Sequence, residues 1–102
     1  MDLDTIADKI RTKFGASPRI EAVVAFDFDE DGRIVYDGTV DPAVTMVGAA
    51  RDDAKTTFRC ALSTFEGFVN GTKNPDVAYL MGQLKIEGSL GLAMKLKERL
   101  ED

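Results

Sequence analysis

Ser63 to Met94 reads STFEGFVNGTKNPDVAYLMGQLKIEGSLGLAM, and this stretch decides the fold. Ser63-Thr64-Phe65-Glu66 has the form of a capping box, with a serine hydroxyl for the third amide and a glutamate returning the bond, so a helix is expected from Ser63. Asn70-Gly71 supplies a left-handed stop. Pro75 suits the first turn of a second short helix, running to about Gly82. Gln83 to Glu87 alternates through Leu84 and Ile86 as a strand, and Gly88-Ser89 leads into a last helix, Leu90 to Leu100. The apolar side chains here (Phe65, Phe68, Val69, Val77, Tyr79, Leu80, Met81, Leu84, Ile86, Leu90, Leu92 and Met94) exceed what such short elements need to pack on one another.

The last helix sharpens the point. Leu92, Ala93, Leu96 and Leu100 form one stripe, the expected core face. Leu90 and Met94 form a second stripe, displaced around the helix. One helix on one sheet needs one stripe, so the second borders another element or something the chain does not supply. Methionine and phenylalanine suit a wall that adapts to ligands. The plainer alternative is that these residues simply fill a tight core.

Upstream, the chain reads as a sheet built to receive that surplus. Residues 2–14 form an amphipathic helix, with Leu3, Ile6, Ala7, Ile10 and Phe14 on one face and Asp8, Lys9, Arg11 and Lys13 elsewhere. Gly15 and Pro18 close it. Its single aromatic and short length favour a helix covering a sheet over one lying on a membrane. Ile20 to Phe28 alternates as a strand, with Ile20, Ala22, Val24, Phe26 and Phe28 inward and Glu21 and Asp27 outward, so one buried side is expected. Asp31-Gly32 makes a hairpin turn and Arg33 to Asp37 returns around Ile34 and Tyr36. Asp37-Gly38 and Asp41-Pro42 punctuate the chain before a weaker third strand, Ala43 to Ala49, carrying Val44, Met46 or Val47. After Arg51-Asp52-Asp53 comes a fourth strand, Lys55 to Leu62, with Phe58, Cys60 and Leu62 on one face and Lys55, Thr57 and Arg59 opposite.

Composition excludes several functions. A chain of 102 residues is expected to form a single domain with one core. A net charge of −5 opposes nucleic acid, where binding begins by neutralising phosphates, and opposes charge-driven docking on anionic membranes. The single cysteine, Cys60, rules out an internal disulfide and a cysteine metal cluster, and is expected as a small core residue. The opening MDLDTIADKIRTKF carries acids where a secretion signal has bases, and no apolar run approaches the ~20 residues of a membrane span. A cytoplasmic location is therefore expected. With no histidine, the Ser-His and Cys-His nucleophile pairs and imidazole-bound zinc are out of reach, so no enzyme, metal or cofactor is expected.

The remaining motifs have ordinary explanations. Asp27-Phe28-Asp29-Glu30-Asp31-Gly32 looks like the front of a calcium loop, but its twelfth position is Gly38 rather than glutamate. It reads as a solvated hairpin tip, too wet for an acid–base pair. Gly82, Gly88 and Gly91 lack the lysine of a phosphate loop. Asn70-Gly71-Thr72 is a sequon without a secretion signal.

The run FVNGTKNPDVAYLMGQLKIEGSLGLAMKL resembles the C-terminal half of the sterol carrier protein 2 family. That family shows a short helix ending in glycine, then Asn-Pro, a short helix, a G-x-L-K-I/V-x-G strand and a last helix rich in Leu, Ala and Met. The matching residues are Gly71, Asn74, Pro75, Gly82, Leu84, Lys85, Ile86, Gly88, Leu92, Ala93, Met94, Lys95 and Leu96. Upstream, only the element order matches. The resemblance implies an α+β, SCP-like fold of order α-β-β-β-β-α-α-β-α, its five-stranded, mostly antiparallel sheet containing a crossover strand and covered by helices around an apolar tunnel. It also implies binding or transfer of sterols, fatty acids, fatty acyl-CoA or phospholipids without chemistry. The third strand departs from the pattern in being short and rich in Gly and Ala (Val47-Gly48-Ala49-Ala50). The chain ends at Asp102 without the peroxisomal signal of some eukaryotic members, so delivery to that organelle is not expected.

The expected function is therefore a non-enzymatic lipid carrier. Phe26, Phe58, Phe65, Phe68, Val69, Leu80, Met81, Leu84, Ile86, Leu90 and Met94 are the expected wall of the cavity, and Tyr79, Ser89 or Lys95 orient a headgroup. The expected partners are a lipid or fatty acyl ligand and at most a transient membrane contact, with no nucleic acid; the chain acts as a monomer or homodimer. The alternative is an accessory subunit without a carrier role, which docks on a partner enzyme or presents a lipid-like intermediate such as a quinone precursor.

Overall fold

The computed structural model of the chain describes residues 2–15, 20–48 and 51–101. The order is α1 (Leu3–Gly15), β1 (Val23–Asp27), a 3-10 turn (Asp29–Asp31), β2 (Arg33–Asp37), β3 (Val44–Val47), β4 (Thr56–Cys60), α2 (Leu62–Asn70), α3 (Pro75–Leu80), β5 (Leu84–Gly88) and α4 (Leu90–Glu101). The strands form one five-stranded sheet in the order β3-β2-β1-β4-β5. Every neighbouring pair is antiparallel except β1 and β4, which run parallel with Phe26 beside Phe58. This is the α+β architecture expected, with β4 as the crossover strand.

The helices lie on one face of the sheet because each supplies one apolar stripe to it. From α1 come Ile6, Ala7, Ile10 and Phe14, and from α4 Ala93, Leu96 and Leu100, all buried. Between helices and strands sits a stack of rings. Phe26 meets Phe14 at 5.6 Å, Phe58 at 5.7 Å and Phe65 at 5.2 Å, and Phe65 reaches Phe28 at 5.3 Å and Phe68 at 5.9 Å. Tyr36 closes one end, edge-on to Phe14 at 5.5 Å, while its hydroxyl donates to the Phe14 carbonyl oxygen at 3.1 Å.

Three expectations need correction. The capping box is not formed: α2 starts at Leu62 with Ala61 as its cap residue and no side-chain cap bond. β4 ends at Cys60, so the chain turns earlier than Ser63, and the Phe65 amide already donates to the Ala61 carbonyl oxygen at 3.1 Å; Leu62 accordingly belongs to the helix rather than to β4. Second, the first strand begins at Val23, although Ile20 and Ala22 still point into the main core. Third, β1 is buried on both sides. Val23, Ala25 and Val35 form a second small core on the back of the sheet with Met46 and Ala54. Pro18, Ala49 and Ala50, placed by sequence at a helix end and in the third strand, lie outside the described residues.

Ionic bonds hold the segment at Ala54 over that back core. Arg51 Nη1 bonds Asp37 Oδ2 at 2.8 Å, and Arg33 Nη2 donates to the Arg51 carbonyl oxygen at 2.8 Å. Asp27, expected at a wet hairpin tip, accepts instead from Arg59 Nη1 at 3.0 Å, and Arg59 Nε bonds Glu87 at 2.6 Å. Glycine is required where Gly71 ends α2 at φ 78° and where a Cβ on Gly88 would stand 2.3 Å from the Lys55 carbonyl oxygen.

Phe65→Ala is expected to cost about 3–5 kcal/mol, the range for truncating a buried ring, whereas Leu80→Ala, at an exposed site, should stay within about 0.5 kcal/mol; urea unfolding checks both. The Arg51 guanidinium, with the Thr39 hydroxyl and amide, lowers the Asp37 carboxyl from 3.8 to about 2. A lowered carboxyl stabilises the fold above its unfolded pKa, and that contribution is lost as pH falls through the folded one. The chain should lose stability between pH 3.8 and about 2, and Asp37→Asn should flatten that part of a stability-versus-pH curve.

Candidate functional site

The late helices leave a groove because α3 is short and sits at the edge of the sheet. Its start is well defined: Asn74 Oδ1 accepts from the amides of Asp76 at 2.8 Å and Val77 at 3.3 Å, with Pro75 in the first turn. Two of its side chains, Pro75 and Ala78, are buried. The others face out, with Val77 51%, Tyr79 46% and Leu80 84% exposed, followed by Met81 at 67%. On the far side, Ser89 Oγ accepts from the Leu92 amide at 3.1 Å and starts α4. The core stripe of α4 faces the sheet, which turns Leu90 and Met94 toward α3.

Between these helices and the strands β4 and β5 lies an apolar groove of about 160 Å³. Phe58, Leu84 and Ile86 come from the strands, Leu90 and Met94 from α4, and Pro75 and Tyr79 from α3. Its two charged residues, Asp76 and Lys97, bond each other at 2.6 Å and tie α3 to α4. Such a lining can hold an alkyl chain. The volume is below the ~300–1,000 Å³ usual for ligand pockets.

Sequence reasoning and geometry overlap in part. Of the expected wall, Phe58, Leu84, Ile86, Leu90 and Met94 come together in this groove, and Tyr79 joins them. Phe26, Phe65, Phe68 and Val69 lie instead in the buried layer between sheet and helices, where rings fill the middle. Leu80, the last residue of α3, and Met81 after it stand exposed. Ser89 and Lys95 border a second depression of about 810 Å³, where Ile20, Ala22 and Leu92 alternate with charged Glu21, Lys55, Glu98 and Arg99. Pro75, Asp76 and Lys97 were missed as groove residues. Lys97 was within reach, since it continues the Leu90–Met94 stripe at helical spacing.

Cys60 sits on the inner face of β4 and is buried. Burial pushes its thiol up to about 12, away from the thiolate that reactions require. Among the described residues, no helix is long and apolar enough to cross a membrane.

Comparison with known proteins places this geometry. Residues 9–101 match the model of the SCP-2 sterol transfer family. Among solved structures, the chain superposes on palmitated SCP2L2 from Aedes aegypti with a TM-score of 0.72 and 20% identity, covering 100% of this chain and 96% of that one. For the ubiquinone synthesis protein UbiJ-SCP2, the TM-score is 0.69 and the identity 12%, covering 96% and 87%. A variant of the sec-alkyl sulfatase PisA1 superposes with a TM-score of 0.80 and 14% identity over the whole of this chain, which spans only 17% of the sulfatase. At these identities the likeness is one of fold.

In native protein at pH 8, Cys60 is expected to resist Ellman's reagent and to react within minutes once urea is added. Prompt labelling without urea would show that the inner layer opens readily.

Proposed function

The chain belongs to the SCP-2 sterol transfer family, and from that premise we propose that it binds the alkyl portion of a fatty acid, fatty acyl thioester or sterol and carries it without altering it. The observation that carries this reading is the groove between α3, α4, β4 and β5: an opening lined by Phe58, Tyr79, Leu84, Ile86, Leu90 and Met94, with its two charges paired to each other. Each methylene moved from water into it contributes about 0.8 kcal/mol. Affinity then rises with chain length, and discrimination between lipids is weak, because few polar groups are aimed at the ligand.

Loading is coupled to α3. Among the described residues its attachments include two buried side chains, the Asn74 cap, the Asp76–Lys97 bond and a bond from the Gln83 amide to the Ala78 carbonyl oxygen at 2.8 Å. Displacing α3 from β5 widens the groove toward the layer that holds Phe65 and Phe68, so these residues and Val69 complete the wall in the loaded state. Tyr79, which lines the groove, hydrogen-bonds a headgroup in this reading. Ser89 and Lys95, around the start of α4, are a more distant headgroup position.

A second reading, an accessory subunit that docks on an enzyme or presents a quinone precursor, draws on the ring-filled centre and the exposed residues of α3, and on the fold shared with UbiJ-SCP2. The open apolar groove, with its charges paired to each other, supports the carrier reading.

Native mass spectrometry of the purified protein is expected to show a co-purifying lipid. Met94→Glu places a carboxylate against the groove at a residue 56% exposed. It should raise the dissociation constant for a fluorescent fatty acid at least roughly tenfold, while the melting temperature stays nearly unchanged. Unaltered binding by that variant would overturn the groove as the lipid site.

A further inference from the structure

At the opposite edge of the sheet from the groove, α1 lies against β3, and a hollow of about 290 Å³ opens beside them. Arg11 and the end of α1 bound it, with Tyr36 and Thr45 from β2 and β3 and the turn Asp41-Pro42-Ala43 between those strands. It shares no residue with the groove. Thr45 stands opposite Tyr36 across the β2–β3 pair, so both side chains occupy one face of the sheet. Tyr36 belongs to the core under the helices, while Met46 packs on the back; alternation therefore turns Thr45 toward α1. There it is only 7% exposed, and among the described residues its hydroxyl oxygen has no hydrogen-bond partner. A buried hydroxyl without a partner is rare and calls for an explanation. At ~30 Å³ per water, the hollow beside it has room for a molecule of roughly ten non-hydrogen atoms.

We infer that this hollow is a binding site for a small, uncharged polyol. Arg11 Nη2 donates to the Thr45 carbonyl oxygen at 3.1 Å, and its Nη1 bonds the Asp8 carboxylate, so the guanidinium is held at the site with its charge already paired. Asp41 adds a carboxylate to the lining, in a chain that carries −5. An anion entering here meets Asp8 and Asp41, and a cation meets Arg11. A neutral molecule bearing several hydroxyls avoids both conflicts. The guanidinium has five N–H donors, a carboxylate accepts at several lone pairs, and the Thr45 hydroxyl does either. Hydroxyl groups donate and accept, so one polyol supplies a partner to each. Pro42 and Ala43 line the space beside these groups and suit its carbon skeleton. A few placed polar groups within such a wall are what fixes a ligand's orientation. The Tyr36 hydroxyl, which donates to the Phe14 carbonyl oxygen at 3.1 Å, holds the inner wall in place. Because β3 and β5 are opposite edges of the sheet, the polyol is a free molecule rather than the headgroup of a lipid in the groove. The site therefore stands apart from the carrier reading.

NMR titration of the isotope-labelled native chain with xylose and with glycerol tests the site, with sodium acetate and ammonium chloride as charged controls. The amides of Arg11, Ala43 and Thr45 should shift and saturate in the millimolar range of xylose, and the two salts should leave them in place. Thr45→Val keeps the branched shape and removes the hydroxyl. Its spectrum should remain that of the folded chain, with the xylose midpoint raised roughly tenfold or more. Arg11→Gln, at an exposed helix position, should weaken xylose binding in the same direction and carries the comparison if Thr45→Val does not fold. Both variants should bind a fluorescent fatty acid as the native chain does, since neither residue touches the groove. Shifts that fail to saturate or that spread over the whole surface would overturn the site, as would a midpoint unchanged in the folded variants. A tighter response of the same amides to acetate or ammonium would overturn the uncharged polyol as its ligand.

Discussion

The parallel pairing of β1 with β4 is the constraint on which the rest of the structure depends. It sets Phe26 beside Phe58 in the middle of the sheet and leaves β5 to pair with the far side of β4. The late half of the chain is thereby split: α2 falls over the centre and α3 over the edge. Phe65 from α2 meets Phe26 and Phe28, so the centre closes with rings in contact. At the edge, α3 has only Pro75 and Ala78 to bury, and small side chains cannot fill the space between β5 and α4.

The groove is thus a packing deficit at a defined place. Large apolar side chains flank it, yet Leu90 and Met94 remain more than half exposed. Leaving such groups in water forgoes stabilisation of about 1.5–3 kcal/mol each relative to full burial. The ring stack, in contrast, supplies cohesion that does not depend on a ligand, which allows the edge to stay loosely filled.

The back of the sheet does different work. Arg51, Arg33 and Arg59 with Asp37, Asp27 and Glu87 tie the strands and the segment at Ala54 together on the side away from the groove. This face is covered by ion pairs over a small apolar core, and it leaves the helix face as the one that can adapt.

Local signals determined much of this. Side-chain alternation placed β1, β2 and β5, helical spacing placed α1 and α4, and Asn70-Gly71 and Asn74-Pro75 placed the junction between α2 and α3, because each depends on neighbours within a few residues. The two stripes of α4 left open a second covering element or a face on something the chain does not supply; in the structure Leu90 and Met94 line the groove. What the sequence could not settle was which late side chains share one space. Phe65, Phe68, Leu80 and Met81 look alike as apolar surplus, but the sheet order alone sends the first two to the centre and the last two to the outside. The start of α2 and the second buried side of β1 were also decided by tertiary contacts, since where β4 ends and what covers Ala25 are set by residues distant in the chain. The physical reason is common to all of these: periodicity fixes which face a side chain occupies, while burial depends on what the fold brings against that face.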